Sequence, residues 1–187
     1  MELQHVNVKF FVADPQAVDL ELFLSVFNGW IQQTATEELL IDVADYRHVP
    51  AGPGIILIGH EANYSLDNEA NRLGLLYNRK APVAGSNRDR LRQAVRAALL
   101  AAQRLSDKPG LRFEGGGLQL VINDRLLAPN SAETLNACQP ELTAFFDTLY
   151  GGARCTLERR PDPRERFTLE VRAEGDFEVG ALLRNMS

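Results

Sequence analysis

The fold is decided by the segment Val6-Asn7-Val8-Lys9-Phe10-Phe11-Val12-Ala13-Asp14-Pro15. Apolar residues occupy every second position of its first part, which is the period of a β-strand with one strongly apolar face. Asp14 and Pro15 then favour a helix start. An Asp side chain can accept hydrogen bonds from the free N–H groups of a first turn, and Pro suits the first helical position. We therefore predict a strand followed at once by a helix.

The predicted helix carries a wide apolar stripe. Its apolar residues recur every three or four positions, at Val18, Leu22, Phe23, Val26, Phe27, Trp30 and Ile31. A stripe of this width has to be buried, so the helix must lie against a sheet.

Three more strands and a long helix are predicted in the rest of the first half. The strands are runs of apolar residues at 39–43, 54–59 and 73–77. The helix starts at Ser86 or Asn87 and ends at about Leu105, before the stop signal Lys108-Pro109-Gly110.

The second half follows a similar order. We expect a tight hairpin of strands 118–122 and 125–127, and a second hairpin of strands 154–160 and 166–173. A helix lies between the hairpins, opened by Asn130 with Glu133 in a capping box, and Pro140 should kink or break it. A short helix over 177–184 closes the chain.

These elements define the fold class. The sequence predicts an α+β protein with a mainly antiparallel sheet and helices packed on one face. Its 187 residues form one domain, 1–187. The order strand-helix-strand-strand-helix occurs twice, which suggests an internal βαββα duplication with pseudo-repeat halves 1–110 and 111–187.

Composition and charge exclude several functional classes. The net charge of −5 predicts a soluble protein that does not bind nucleic acid. Apolar runs are far shorter than a membrane span, and the N-terminus does not resemble a signal peptide, so we expect a cytoplasmic protein with no membrane association. The two cysteines, Cys138 and Cys155, are isolated, which favours reduced thiols over a disulfide.

A cluster of polar residues follows the third predicted strand. It supplies the binding candidates, on a predicted loop and at the start of the fourth strand: His60, Glu61, Asn63, Tyr64, Asp67 and Arg72. The alternative is that these residues only shape a turn. His48 cannot join His60 in a metal site, because pairing of the two strands separates the histidines by about 20 Å. Zinc ligands lie ~2 Å from one ion, so we predict no metal.

Three arginines form a second candidate site. Arg88, Arg92 and Arg96 recur every four residues on the long helix and could bind a phosphate or an acidic partner. The simpler interpretation is a solvated helix face, on which ion pairs contribute little.

No catalytic signature is present. The chain lacks a Gly-Lys-Ser/Thr phosphate loop, a Gly-x-Ser-x-Gly elbow and a dinucleotide fingerprint. We therefore predict a non-catalytic protein that binds a partner protein or a small ligand, without a cofactor and as a homodimer. The alternative is a small enzyme, metal-dependent in one version, with a site around His60, Glu61 and Tyr64.

Overall fold

A computed structural model describes residues 1–186 and contains one eight-stranded antiparallel sheet. The strands are β1 Val6–Phe11, β2 Leu40–Tyr46, β3 Gly54–Gly59, β4 Ala62–Asp67, β5 Gly74–Arg79, β6 Gly117–Ile122, β7 Cys155–Arg159 and β8 Phe167–Ala173. The α-helices are α1 Leu22–Gln33, α2 Asn87–Leu105, α3 Ala132–Leu149 and α4 Val179–Asn185. Short 3₁₀ turns cover Pro15–Ala17 and Glu69–Asn71.

The sheet joins both halves of the chain. Its strand order is β2-β3-β4-β5-β1-β6-β8-β7, so β1 and β6 pair at the boundary between the halves. This arrangement confirms the α+β class. The internal duplication stays a prediction, because the first half contributes five strands and the second half three.

The described helices pack against one face of the sheet and not against the other. Val8 lies opposite Tyr77 and Leu120 on the face against which the helices pack, which we call the helix face. Lys9 lies opposite Leu76 and Gln119 on the other face, called the open face. Within residues 1–186, α2 contacts β1 and β5, α1 contacts β2 and β3, and α3 contacts β7.

A row of aromatic rings connects α1 to the sheet. Phe23, Phe27, Trp30, Tyr64 and Tyr77 follow one another in edge-to-face contact, with centroid separations of 6.3, 5.6, 6.2 and 5.1 Å. Each fully buried ring of this kind stabilises the fold by about 1.5–3 kcal/mol. The row therefore links α1, which packs on β2 and β3, to the side chains of β4 and β5.

The first helix begins later than expected. Asp14 accepts a hydrogen bond from the backbone N–H of Gln16, but this cap starts only the 3₁₀ turn, which ends at Val18 in extended geometry. The α-helix itself starts at Leu22. The helix predicted directly after Pro15 is therefore wrong in its first residues and right in its apolar stripe.

The segment Ala62–Asp67 is a strand and not the expected loop. Only the turn at Gly59–Ala62 separates it from β3, and its side chains alternate between the two faces of the sheet. The expected strand at 125–127 is also wrong. The Asp124 carboxylate accepts hydrogen bonds from the N–H groups of Leu126 and Leu127, so these groups serve a turn and are not available to a strand partner.

The predicted cap of α2 is confirmed, whereas the predicted cap of α3 is wrong. Ser86 and Asp89 form the capping box of α2. The cap of α3 is Ser131, because buried Asn130 instead donates to the carbonyl oxygens of Arg160 and Asp162. α3 runs through Pro140 without a break, with the proline on its exposed side. None of the described helices has the length and hydropathy to cross a bilayer.

Candidate functional site

A cavity of about 330 Å³ opens on the helix face, between the end of α1, the segment before β2 and α2. Its walls combine buried polar groups, charged side chains and a small apolar surface. The lining residues are Thr34, Ala35, Thr36, Glu37, Glu38, Tyr64, Gln93, Arg96, Ala97, Leu100 and Arg104.

A buried carboxylate forms the inner end of this cavity. Glu38 is only 8% exposed, and each of its two oxygens accepts one hydrogen bond from a tyrosine. The Tyr64 hydroxyl donates to Oε2 at 2.7 Å and the Tyr77 hydroxyl donates to Oε1 at 2.9 Å. Both oxygens of the buried carboxylate are therefore satisfied by neutral donors.

The orientation of Gln93 follows from these two bonds. Because Tyr77 has one hydroxyl proton and donates it to Glu38, its oxygen can only accept from the next neighbour. Gln93 Nε2 supplies that bond at 2.8 Å. The Gln93 carbonyl oxygen must then point away from Tyr77, and it is buried without a partner among the described residues. An unsatisfied buried acceptor costs about 1–3 kcal/mol.

Strand register and helix periodicity bring these groups together. Tyr64 and Tyr77 lie directly opposite each other on β4 and β5, so both rings point to the helix face. On α2, the lining residues Gln93, Arg96 and Leu100 are spaced by three and four positions and share one side of the helix.

The end of α1 shapes the cavity wall. Thr34 closes the helix in left-handed geometry, with φ 50° and ψ 53°. This conformation is unfavourable for a β-branched residue. It turns the chain so that Thr36 and Glu38 face α2, and the Thr36 hydroxyl donates to the Glu38 carbonyl oxygen at 3.0 Å.

Burial keeps both tyrosines protonated. It is the main cause that raises the pKa of the Tyr64 hydroxyl, and the charge of Glu38 raises this pKa further. The same two effects raise the pKa of Tyr77, while hydrogen bonds with Gln93 and Arg79 act in the opposite direction. At neutral pH, both hydroxyls are therefore hydrogen-bond donors and not bases.

The mouth of the cavity is basic. Arg96 lies 3.8 Å from Glu37 across the opening, in a pair that is largely exposed. The Arg104 side chain makes no ion pair and no hydrogen bond with any residue in the described range 1–186. The inner end thus carries a negative charge, whereas the outer end carries an excess of positive charge.

The residues predicted as one site lie in four separate places. His60 and Glu61 occupy the turn between β3 and β4, where His60 is exposed and Glu61 pairs with Arg79 at 3.0 Å. Asn63 lies on the open face, and its Oδ1 accepts from the Gly59 N–H. Only Tyr64 enters the cavity.

The last two predicted residues lie at the opposite end of β4. Asp67 is buried in an ion pair with Lys9. Arg72 stacks on the Phe11 ring, with its guanidinium carbon 3.7 Å from the centroid, and pairs with Glu170 at 3.0 Å. The alternation of β4 therefore separates side chains that the loop interpretation placed together, and their binding role stays a prediction.

The predicted arginine stripe is exposed along α2. The side chains of Arg88 and Arg92 form no hydrogen bond or ion pair within the described part of the chain. Hydrogen bonds from Ser86, and to a smaller extent the charges of these two arginines, lower the pKa of Asp89. Only Arg96 reaches the cavity. Anion binding by the stripe stays a prediction.

Sequence reasoning missed the polar lining residues Glu38, Gln93 and Arg104, and also Tyr77, whose hydroxyl bonds to Glu38 and Gln93. The spacing of Gln93, Arg96 and Arg104 could have indicated a shared helix side. Nothing local could have joined Glu38 to two tyrosines that follow it by 26 and 39 residues.

No family model matches the chain, and no curated protein shows significant similarity to it. Among residues 1–186, no group of three His, Cys, Asp or Glu side chains is arranged so that it could hold a metal ion.

Proposed function

We propose that the protein is a non-catalytic binding protein of the cytoplasm that holds a small polar molecule in the cavity beside Glu38. The observation that carries the proposal is that Gln93 lines this cavity and that its buried carbonyl oxygen has no donor among the described residues. A ligand with an N–H or O–H group would satisfy it. The hydrogen bond that the fold leaves unmade would then contribute to affinity.

The size of the cavity supports a ligand of metabolite size. About 330 Å³ lies at the small end of the range for ligand pockets. Since one water molecule takes about 30 Å³ of liquid volume, this space corresponds to about ten non-hydrogen atoms. The apolar side chains Ala35, Ala97 and Leu100 would contact the carbon skeleton of such a molecule.

The chemistry of the lining favours binding over proton transfer. General acid–base catalysis works best with groups whose pKa is near the working pH. The pKa values of Tyr64 and Tyr77 are raised instead, and arginine stays protonated. No His or Cys is among the lining residues of the described chain. The alternative enzyme site is not favoured, because Tyr64 lies in the cavity whereas His60 is in an exposed turn.

The cysteines support the proposed compartment. Cys138 and Cys155 are both free thiols in the structure. Burial raises the pKa of the Cys138 thiol to about 11, and burial also raises the pKa of Cys155. Unreactive, reduced thiols are typical of proteins in a reducing compartment.

The proposal is tested by screening polar metabolites against the protein by ligand-observed NMR. A bound metabolite should be lost in Ala97→Phe, which places a ring in the cavity. Ala144→Phe is the matched control, because Ala144 lies on the exposed side of α3. If no metabolite binds, or if both variants bind equally well, the cavity is not a binding site.

We also propose that the chain binds a protein partner, a second copy of itself, and forms a homodimer through the edge strand β2. Support comes from Leu39 and Ile41, which are 67% and 55% exposed at this edge of the sheet. An uncovered strand edge with apolar side chains favours pairing with another chain. Light scattering at micromolar concentration should show a dimer that Ile41→Glu dissociates. A monomeric wild-type protein would contradict the dimer.

A further inference from the structure

Resting on the proposed function, we infer that the ligand is a small zwitterion, an amino acid whose ammonium and carboxylate groups are separated by several methylene groups. The ammonium lies at the inner end of the cavity, beside Glu38 and Gln93. The carboxylate lies at the mouth, beside Arg96 and Arg104. Three features of the cavity support this assignment: the charges at its two ends, the number of hydrogen-bond acceptors at its inner end, and the apolar strip between the ends.

A positively charged ligand group would compensate the charge of Glu38 at the inner end of the cavity. Glu38 is almost fully buried, and no cationic side chain forms an ion pair with it within residues 1–186. A buried carboxylate without a counter-charge is costly even when it is hydrogen-bonded. A neutral alcohol or amide would satisfy Gln93 but would leave this charge uncompensated. A cationic donor would meet both needs.

The number of acceptors fits an ammonium group. The inner end offers the unpartnered Gln93 carbonyl oxygen and the remaining lone pairs of the Glu38 carboxylate. It also offers the Tyr64 hydroxyl oxygen, which donates its proton to Glu38 and accepts no hydrogen bond from the described residues. Three acceptor groups equal the three N–H donors of an ammonium.

An anionic ligand group would be stabilised by the arginines at the outer end of the cavity. Arg104 has no carboxylate partner in the described chain, and Arg96 has only the distant and exposed Glu37. An arginine guanidinium matches a carboxylate in geometry, because two N–H groups can donate in parallel.

The spacing along α2 sets the length of the ligand. With 1.5 Å rise per residue, Arg96 lies about 4.5 Å and Arg104 about 16 Å from Gln93 along the helix axis. Ala97 and Leu100 lie between these positions and form an apolar strip. An α-amino acid, whose two charges are adjacent, would not extend over this strip. A chain of methylene groups would contact it and carry the carboxylate to the arginines.

The inference is tested with three probes of equal carbon number: δ-aminovalerate, pentylamine and valerate. Isothermal titration calorimetry on the full chain should show that δ-aminovalerate binds at least about tenfold more tightly than either of the others, because a hydrogen bond to a charged group is lost in each case. Gln93→Leu should weaken δ-aminovalerate and pentylamine. Arg96→Leu and Arg104→Leu should each reduce only the advantage of δ-aminovalerate over pentylamine, and the double variant should abolish it. Arg92→Leu, outside the cavity, should change nothing.

The outcomes separate this inference from the proposed function. Equal affinity for pentylamine and δ-aminovalerate would overturn the carboxylate contact, and preference for valerate would overturn the inner ammonium. If none of the three probes binds but the screen finds a metabolite that Ala97→Phe excludes, the zwitterion is wrong and the proposed function stands. If neither the probes nor the screen shows binding, both are wrong.

Discussion

Lys9 and Asp67 form an ion pair on the open face of the sheet, in which the two side chains are only 3% and 5% exposed. They come from β1 and β4, which are not neighbours, and they meet across β5 at Gly74. A Cβ at Gly74 would lie 2.5 Å from the Phe10 carbonyl oxygen and 2.9 Å from the Lys9 side chain, so this position requires glycine. Burial lowers the pKa of Lys9, and the charge of Asp67 opposes that effect.

Removing one partner of this pair should be much more damaging than removing both. Lys9→Met or Asp67→Leu leaves one charge buried and unpaired, which costs about 3–5 kcal/mol in the free energy of unfolding. The double variant should cost clearly less than the sum of the two, because no charge is left behind. Urea unfolding of the four proteins measures the coupling. Additive single effects would show that the pair is not coupled in solution.

Glu38 should stabilise the fold through its two tyrosines. Glu38→Leu leaves the hydroxyls of Tyr64 and Tyr77 without their acceptor, at about 1–3 kcal/mol for each buried group. Adding Tyr64→Phe and Tyr77→Phe to Glu38→Leu should restore part of the loss, since no hydroxyl is then left without an acceptor and only the Gln93 amide loses its partner. Chemical unfolding gives the free energies. No recovery in the triple variant would mean that Glu38 acts in another way.

The protein should lose stability in alkaline solution. Burial raises the pKa of Tyr64, Tyr77 and Tyr150, and that of Cys138 from 9.0 to about 11. Above about pH 9 the unfolded chain therefore releases protons that the folded chain still holds, so the free energy of unfolding falls as pH rises. Melting temperatures between pH 8 and pH 11 test this expectation.

Tyr150 provides a matched control for the loss of stability in alkaline solution. Its hydroxyl is buried and has no hydrogen-bond partner among the described residues. Tyr150→Phe should therefore melt at the same or a higher temperature near neutral pH. It should also lose less stability above pH 9, because one titrating group is gone. A stability that does not change between pH 8 and pH 11 would contradict the raised pKa values.

Thr34→Gly should raise the stability of the protein. Left-handed geometry costs a residue with a side chain about 1–2 kcal/mol, and glycine is the usual residue at such helix ends. With Thr34 at φ 50°, we expect a gain of about 1 kcal/mol and a rise in melting temperature of about 2–4 °C. Gln33→Gly, one residue earlier and inside α1, should instead be destabilising. A lower melting temperature for Thr34→Gly would indicate that the threonine side chain makes a stabilising contact.

Most of the fold could be predicted because its strands are locally apolar. The segments 54–59 and 118–122, and the alternating residues 167–171, are recognisable from their own side chains. β4 was missed although Asn63, Tyr64, Ser65 and Leu66 alternate, because the polar residues around it are also typical of a loop. The alternation itself was the signal that could have identified the strand.

The candidate site was less predictable, because it depends on distant pairing. Tyr64 lies beside Tyr77 only because β4 and β5 pair in that register, and Glu38 reaches both rings only after Thr34 has turned the chain. The unpartnered oxygen of Gln93 is a property of the assembled hydrogen bonds and has no counterpart in residue spacing.

The central position of β1 has a consequence for synthesis on the ribosome. β1 is made before the other strands of the sheet, yet β6, one of its two neighbours, begins at Gly117, more than 100 residues after Phe11. At about 5–20 residues per second, the strand waits for several seconds with one edge unpaired. During that interval the backbone N–H and C=O groups along this edge have no strand partner, so we expect the nascent chain to be prone to pair with other extended chains.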